Sequence, residues 1–193
     1  MIGCAGGGSN FGGIAFPFLR SNDKGTRIIA VEPAACPTPT WRVHRGTTAM
    51  RSAWRRSSRC TPSATGSSRP GSTPAACGTT GWRSGLRLVN GGYVEAQAID
   101  QLDTFEGGIM FAKAEGILPA PESNHAVRVA INEALACKET GDEKVILFNL
   151  SGHGNFDMKA YDAYLSGQLE RYEYPADDIA AAMGDLPAVS FPG

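Results

Sequence analysis

The sequence lacks several features that define common classes of protein. Its five cysteines form no CxxC pair, so we expect neither a disulfide framework nor a metal site, and the cytoplasm is the expected location. There is no run of eighteen apolar residues, and the start of the sequence has no basic segment leading into an apolar one, so neither a transmembrane helix nor a signal peptide is expected. A net charge of −1 gives no general attraction to nucleic acid or to a membrane surface.

Residues 41–87 contain no Asp, Glu or Lys and almost no aliphatic residue larger than alanine. They hold nine arginines and three tryptophans among many Ser, Thr, Pro and Gly residues, without helical or strand periodicity. Three interpretations are open: an arginine-rich nucleic-acid-binding module, a disordered linker, or protein translated out of frame. We favour the third. Plausible GC-rich codons for residues 47–83, read one nucleotide out of register, give a text with normal apolar content, an acid and a lysine.

The stretch around which the rest is organised is residues 1–19, MIGCAGGGSNFGGIAFPFL. A short apolar run at residues 2–5 predicts a strand, and apolar residues recur at helical spacing from residue 11 onwards. Between them lies the loop GGGSN, residues 6–10. Glycines leave backbone N–H groups accessible and the positive end of a helix attracts anions, so this order of elements indicates a phosphate site.

Two other interpretations of the glycine loop remain open. A tight turn between a strand and a helix needs no ligand. A dinucleotide-binding GxGxxG loop would be followed about twenty residues later by an acid, and Glu32 meets that spacing. Three adjacent glycines followed by Ser-Asn fit a compact phosphate site better than that motif.

The rest of the sequence, outside residues 41–87, alternates between predicted strands and predicted helices. Strands are predicted at residues 27–33, 93–99 and 145–150. Helices are predicted between Asp100 and Gly116, from Ala126 to the charged turn at residues 138–144, and at about residues 157–169. This alternation predicts an α/β fold with a mainly parallel sheet flanked by helices.

Polar clusters stand where a parallel sheet binds ligands, beyond the carboxyl ends of its strands. The motif SGHG begins with Ser151 and Gly152 after the last predicted strand, and ESNH, which contains Glu122, opens a helix. Ser151 is either a ligand-binding hydroxyl or a capping serine, and Glu122 either faces a cofactor or occupies the first turn of a helix. His125 and His153 are expected to be structural, because they lack the spacing of a metal pair.

Four motifs occur in a characteristic order: MIGCAGGGSNFGGIAFPF, RIIAVEP, AEGILPAPESNHAVRVAI and KVILFNLSGHGNFD. Together they resemble the tryptophan synthase beta chain, particularly its second, stand-alone subgroup, and the frame-shifted text HAGGLRYHG resembles it too. The resemblance implies the large domain of a fold-type II pyridoxal-phosphate enzyme. It also implies a lyase of tryptophan biosynthesis, which joins L-serine to indole with release of water.

The resemblance implies roles for individual residues. In this family the glycine loop holds the phosphate of pyridoxal 5'-phosphate, a role that would fall to Gly6, Gly7, Gly8, Ser9 and Asn10. The serine of the SGxG motif bonds the pyridine nitrogen, which implies that Ser151, with Gly152 beside it, binds the cofactor. A neutral hydroxyl partner favours elimination chemistry. The glutamate of the PAxES motif lies close to the cofactor, and Glu122 matches it.

The chain departs from the family pattern in the residues that carry catalysis. In the family, the Schiff-base lysine, the acid that helps expel the serine hydroxyl and the loop that binds the substrate carboxylate all precede the glycine loop. The five lysines here lie in predicted turns or on charged helix faces: Lys24, Lys113, Lys138, Lys144 and Lys159. We therefore expect a C-terminal fragment, cut at an internal Met, that is inactive alone and has no catalytic residue beyond Glu122 near the cofactor.

The expected organisation has four parts. Residues 1–40 and 88–170 belong to the pyridoxal-phosphate domain, residues 41–87 are an irregular insert, and residues 171–193 are a peripheral tail. The intact enzyme is expected to be a homodimer acting on L-serine and indole, while docking of an alpha-type subunit is left open.

Rival functions are another fold-type II enzyme (threonine synthase, cysteine synthase, or a serine/threonine deaminase), the nucleic-acid-binding module, and a gene remnant without selected function. No membrane partner is expected, and nucleic acid is disfavoured.

Overall fold

The computed structural model describes residues 1–6, 8–21, 25–35 and 88–171. Gly7 of the glycine loop lies outside the described residues, as does Lys24. The three interpretations of residues 41–87 also concern residues outside this part of the chain. The predicted peripheral tail lies outside it as well, except for Arg171.

Three strands form a parallel sheet in the order β1 (Ile2–Cys4), β2 (Ile29–Pro33) and β3 (Glu95–Ile99). A further segment runs parallel to β1 on its other side, where Ile2 N donates to Leu147 O at 2.8 Å and Asn149 N donates to Ile2 O at 3.0 Å. The predicted parallel sheet is therefore confirmed. The predicted strand at residues 145–150 is present as a segment joined to β1 by one bridge, at Phe148.

The structure gives full bounds for α1 (Ser9–Arg20), α2 (Gln101–Glu115), α3 (Pro121–Thr140) and α4 (Met158–Leu165). Helices α1 and α3 flank the sheet, and α2 packs on α3. The predicted ends of α2 are confirmed, because the Asp100 carboxylate accepts a hydrogen bond from Leu102 N at 2.9 Å and Gly116 has a left-handed φ of 71°. None of the described helices is long and apolar enough to cross a membrane.

Several predicted bounds were wrong by a few residues. The start of α3 is an exception: it begins at Pro121, which needs no N–H partner at the first helical position, and this agrees with the prediction that ESNH opens a helix, although the apolar periodicity begins only at Ala126. Helix α4 ends before the predicted residue 169, since Gly167 adopts a left-handed φ of 70°. Strands β2 and β3 each begin two residues later than predicted.

The two faces of the sheet are covered by different helices. Successive side chains of a strand point to opposite faces. Ile28 and Ala30 accordingly pack with Phe11 and Ala15 of α1. On the other face, Ile2, Ile29 and Val31 pack with residues of α3. Burial on both faces explains why the run before Glu32 is apolar throughout instead of alternating.

The apolar side chains of the later helices are only partly buried. Phe105 of α2 and Tyr161 of α4 are buried, whereas Met110, Leu135 and Leu165 are exposed. Helical periodicity indicates which residues share a face, but it does not indicate whether another element covers each of them.

Candidate functional site

Two of the predicted polar loops begin beside each other at the same edge of the sheet. β1 ends at Cys4 and leads into the glycine loop, while the parallel segment next to it leads into Ser151. The Cys4 sulfur lies 3.6 Å from the Ser151 hydroxyl oxygen. The carboxyl ends of two neighbouring parallel elements therefore meet, as expected for a ligand site in an α/β sheet.

The glycine loop ends in a backbone conformation that requires glycine. Gly8, the residue that caps the start of α1, has φ 94° and ψ −17°, and Gly12 N donates to its carbonyl at 2.8 Å. A side chain at position 8 would be strained in this left-handed region. The loop is therefore shaped by its backbone, with Gly6 half-buried just after β1.

The start of α1 has the character of an anion site. Ser9 and Asn10 are its first two residues, both exposed, and its first turn contains no acid and no side-chain cap. Backbone N–H groups at a helix start lack partners within the helix, and the helix dipole is positive there. Backbone and side-chain donors at a helix start are of the kind that bind anions, so the geometry is compatible with the predicted phosphate site.

The SGHG loop is held against the loop before α3 by backbone hydrogen bonds. Ala120 N donates to Gly152 O at 2.9 Å, and Gly154 N donates to Leu118 O at 2.8 Å. A Cβ atom at Gly154 would lie 2.5 Å from the carbonyl oxygen of Pro119, so only glycine allows this approach. These bonds fix Ser151 beside the start of α3.

A buried chain of three polar groups ties α4 to the same loop. The Tyr161 hydroxyl donates to Pro119 O at 2.6 Å and accepts from Asn124 Nδ2 at 2.8 Å. Asn124 is fully buried, and its Oδ1 makes no hydrogen bond within the described ranges. Burial raises the pKa of Tyr161, although the hydrogen bond from Asn124 opposes that change. Tyr161 therefore stays protonated, and its hydrogen bond to Pro119 O holds the loop before α3 against α4.

Two side chains contact the Ser151 hydroxyl. Ser123, fully buried in the first turn of α3, has its oxygen 3.1 Å from that of Ser151, and Cys4 approaches from the side of β1. Burial raises the pKa of the Cys4 thiol, the hydrogen bond with Ser151 lowers it, and the negative charge of Glu122 raises it further. The thiol is consequently held in its protonated form near neutral pH.

Glu122 and His125 lie in the same first turns of α3 but differ in exposure. Glu122 is exposed, and its charge contributes to raising the pKa of both Cys4 and Tyr161. His125 is buried, with Nδ1 3.1 Å from Pro121 O and 3.2 Å from the carbonyl oxygen of Glu122. Burial lowers the pKa of His125 to about 4, so the ring is neutral near pH 7. Its contacts with carbonyl oxygens of the first turn of α3 are structural.

The predicted site residues form two groups. Ser151 and Gly152 are joined to β1 and to α3, whereas the side chains of Ser9 and Asn10 make no hydrogen bond to them in the part of the chain that is described. His153 is exposed, and its Nδ1 accepts a hydrogen bond from Asn155 N at 3.3 Å. Among the described residues, no three His, Cys, Asp or Glu side chains gather to hold a metal ion.

Sequence reasoning missed Cys4 and Ser123 as members of this site. Cys4 had one signal, its place at the end of a strand that leads into a glycine loop. Ser123 had another, its place inside the ESNH cluster. Glu32, the acid at the spacing of a dinucleotide-binding motif, is fully buried near the end of β2, which disfavours the dinucleotide interpretation because a ribose would need access to that carboxylate.

Comparisons with known proteins agree with this geometry. The family described as "Pyridoxal-phosphate dependent enzyme" matches residues 1–152. The chain is similar to tryptophan synthase beta chain 2 of Aquifex aeolicus, with 45% identity over 185 residues that cover 88% of this chain and 41% of the relative. The corresponding protein of Methanosarcina acetivorans is 44% identical over 182 residues, which cover 88% of this chain and 39% of the relative.

The chain thus spans about two fifths of the length of the curated relatives that it matches. Among solved structures, a fungal L-serine ammonia-lyase from Rhizomucor miehei superposes with a TM-score of 0.58 at 15% identity, covering 87% of this chain and 50% of that one. This likeness shows the fold alone. The predicted fold class, the resemblance to tryptophan synthase beta chains and the cofactor of the family are confirmed. The chain belongs to the family of pyridoxal-phosphate-dependent enzymes.

Proposed function

We propose that this chain supplies the coenzyme-binding part of a tryptophan synthase beta-type lyase, which condenses L-serine with indole to give L-tryptophan. The observation that carries the proposal is the Ser151 hydroxyl. It is exposed, contacts two other side chains, and stands at the edge where the neighbouring strand leads into GGGSN. The similarity to tryptophan synthase beta chains supports the choice of reaction.

The residue types at this edge fit pyridoxal 5'-phosphate. The glycine loop and start of α1 offer donors for a phosphate, and we assign that role to Gly6, Gly7, Gly8, Ser9 and Asn10. We assign the ring nitrogen to Ser151, with Gly152 shaping the backbone beside it, and place Glu122 near the coenzyme. When bound, this coenzyme withdraws electrons from the bonds to the α-carbon of an amino acid. A neutral hydroxyl at its ring nitrogen favours elimination over deeper charge delocalisation.

We further propose that the 193-residue chain does not catalyse the reaction by itself. A lysine that bonds the coenzyme covalently needs an amine whose pKa is lowered by burial or by nearby positive charge. The described lysines, Lys113, Lys138, Lys144 and Lys159, are all exposed. Their surroundings therefore support the absence of such an amine in the described part of the chain.

The other properties of the intact enzyme stay predictions. We predict that the intact enzyme is a homodimer in the cytoplasm, and we leave open whether it binds an alpha-type subunit. The division of this chain into four parts is also a prediction. A serine/threonine deaminase remains the nearest rival, and release of pyruvate from L-serine would distinguish it. The nucleic-acid-binding module is a prediction from residues 41–87, and a filter-binding titration at two salt concentrations tests it, because phosphate contacts weaken steeply with salt.

Coenzyme binding can be tested without the aldehyde that would react with exposed lysines. The probe is pyridoxine 5'-phosphate, titrated into the purified chain by calorimetry, with pyridoxine as the comparison that lacks the phosphate. Ser9→Asp adds a negative charge where the phosphate is proposed to bind, and it suits a helix start, so the fold is retained. Asn132→Asp adds the same charge to an exposed position of α3 and is the matched control.

The phosphate ester should bind more tightly than pyridoxine, and Ser9→Asp should weaken it about tenfold or more, as expected for loss of a charge-assisted contact. Asn132→Asp should bind like the unsubstituted chain. Equal binding of the two probes, or equal effects of the two variants, would refute the phosphate site. Tryptophan formed from L-serine, indole and pyridoxal phosphate by the purified chain would refute the proposed inactivity.

A further inference from the structure

The Ser151 hydroxyl has one hydrogen to donate and two lone pairs with which to accept. Two neighbouring groups can form a hydrogen bond with this hydroxyl, either as donor or as acceptor: the Ser123 hydroxyl at 3.1 Å and the Cys4 thiol at 3.6 Å. Each neighbour also carries one hydrogen of its own. The direction of these two bonds therefore decides whether Ser151 still has a hydrogen to offer a ligand.

The burial of Ser123 favours one of the two directions. Its side chain is fully buried, and within the described ranges its hydroxyl bonds only Ser151. Ser151 is exposed, so its hydrogen can be offered to a ligand or to water. If Ser123 and Cys4 both donate to the Ser151 oxygen, every hydrogen has an acceptor and both lone pairs are used. The opposite direction would leave the buried Ser123 hydrogen without an acceptor.

We propose that Ser123 is a positioning residue, which, together with Cys4, turns the hydrogen of Ser151 outward toward a ring-nitrogen acceptor. This inference rests on the coenzyme site proposed above. It adds that the donor character of Ser151 is imposed by the first turn of α3 and the end of β1. Hydrogen bonds that form a chain, each hydroxyl donating to the next group, polarise one another. A hydrogen bond from Ser123 to the Ser151 oxygen therefore makes the Ser151 hydroxyl a stronger donor to the ligand.

The state of Cys4 is consistent with this arrangement. Burial is the largest influence on its thiol and raises the pKa, so the sulfur keeps its hydrogen near neutral pH. When Cys4 ionises at higher pH, the Ser151 hydroxyl is the side-chain donor beside its sulfur. The thiol pKa of Cys4 therefore reports the donor strength of Ser151 in the absence of any coenzyme.

The first test measures this pKa from the pH dependence of iodoacetamide alkylation. It uses a parent in which the other four cysteines, Cys36, Cys60, Cys77 and Cys137, are replaced by serine. In this parent, Ser151→Ala should raise the pKa of Cys4, because the thiolate loses its donor. Ser123→Ala should raise it in the same direction by a smaller amount, because Ser151 is left as a weaker donor.

The sign of the change separates positioning from packing. If Ser123 only fills space, its truncation loosens the site, relieves the burial of Cys4 and lowers the thiol pKa toward its ordinary value. Ser166→Ala is the matched control, because its exposed hydroxyl bonds carbonyls of its own helix, Asp162 O at 2.7 Å being the nearest. A lowered or unchanged pKa in Ser123→Ala, relative to this control, would overturn the inference.

The second test uses two ring analogues that differ in one atom. Pyridoxine 5'-phosphate has a ring nitrogen that accepts a hydrogen bond, and its deaza analogue has a C–H in that place. Ser123→Ala should weaken binding of the first by about threefold to tenfold, as for loss of one neutral hydrogen bond, and should leave the second unchanged. Equal weakening of both probes would mean that Ser123 acts through packing and would overturn the inference.

The two tests fail in different ways. If the unsubstituted chain binds neither analogue, the proposed coenzyme site is wrong, and the Cys4 measurement still decides the direction of the Ser123 bond. If it binds both analogues equally, Ser151 does not donate to the ring nitrogen, and the outward hydrogen has no such role. If the nitrogen-containing probe binds more tightly but Ser123→Ala changes neither measurement, the coenzyme site stands and the positioning role fails.

Discussion

Replacing Tyr161 by Phe removes a single oxygen atom from the centre of the buried polar chain. That oxygen accepts a hydrogen from Asn124 Nδ2 at 2.8 Å and donates to Pro119 O at 2.6 Å. The ring itself stays, including its edge contact with Phe105 at a centroid distance of 5.1 Å. The substitution therefore tests the hydrogen bonds without opening a cavity.

The expected loss follows from the two groups that the oxygen satisfies. Asn124 is fully buried and its Oδ1 already has no partner in the described part of the chain, so its Nδ2 would lose the hydrogen bond to the Tyr161 oxygen. The Pro119 carbonyl would lose its hydroxyl donor. A buried polar group left without a partner costs about 1–3 kcal/mol. We expect Tyr161→Phe to lower the free energy of unfolding by about 2–4 kcal/mol, a large part of the 5–15 kcal/mol typical of a domain.

The measurement is urea unfolding followed by far-UV circular dichroism. With a slope of about 2 kcal/mol per molar urea, a loss of this size moves the midpoint by about 1–2 M. Tyr164→Phe is the matched control, because it removes the same atom from a ring stacked on Phe105 at 5.5 Å. Its hydroxyl makes no hydrogen bond to any described residue, so we expect a change within about 0.5 kcal/mol.

Equal midpoints for the two variants would refute the reasoning, because they would show that the buried bonds contribute no more than a hydroxyl that lacks such bonds. A double-variant cycle adds a second condition. Asn124→Ala and Tyr161→Phe remove two ends of one bond, so their combined effect should be smaller than the sum of the single effects. Strict additivity would mean that the two side chains do not interact in solution.

Three further predictions concern other parts of the fold. Burial lowers the pKa of His125 from 6.5 in the unfolded chain to about 4 in the folded one, so the unfolded chain takes up a proton first as the pH falls. The free energy of unfolding should therefore fall by up to about 3 kcal/mol between pH 6.5 and 4, and His125→Gln should flatten this pH dependence in urea titrations. Arg27 donates to Glu95 and Glu133 at 2.8 Å but is half exposed, so Arg27→Ala should cost about 1 kcal/mol in low salt and less in 1 M NaCl. Gly154→Ala places a methyl group 2.5 Å from a backbone carbonyl oxygen and should lower the urea midpoint more than Gly13→Ala, which meets nothing within 4 Å.

Much of the fold could be predicted from local signals. The glycine loop between an apolar run and a helical period predicted the order β1, α1 and β2, and the continuous apolar sequence of β2 is typical of a strand that is buried on both faces, as the structure has it. Asp100 and Gly116 predicted both ends of α2, since a capping carboxylate and a left-handed glycine act on their own neighbours. Such features depend on residues only a few positions apart, so the sequence contains them in full.

The contacts of the candidate site could not be predicted in this way. Cys4 and Ser151 are 147 positions apart, and Ser123 is 28 positions from Ser151, so no periodicity connects them. Their approach depends on which strand pairs with β1 and on how the loop before α3 meets the SGHG loop. The apolar pattern predicted that a strand exists at residues 145–150, but any edge of the sheet would have satisfied that pattern.

The geometry also divides the two polar motifs into residues that offer chemistry and residues that set its position. In SGHG, Ser151 presents the hydroxyl, Gly152 accepts a backbone hydrogen bond from Ala120, and Gly154 has no side chain because a backbone carbonyl occupies that space. In the motif that opens α3, Ser123 contacts the same hydroxyl from its buried side. Each motif therefore holds the other, because the bonds that fix Ser151 run between them. A substitution that breaks this pairing should change coenzyme affinity even when it lies on the side away from the ligand, whereas one on the exposed surface of α3 should not.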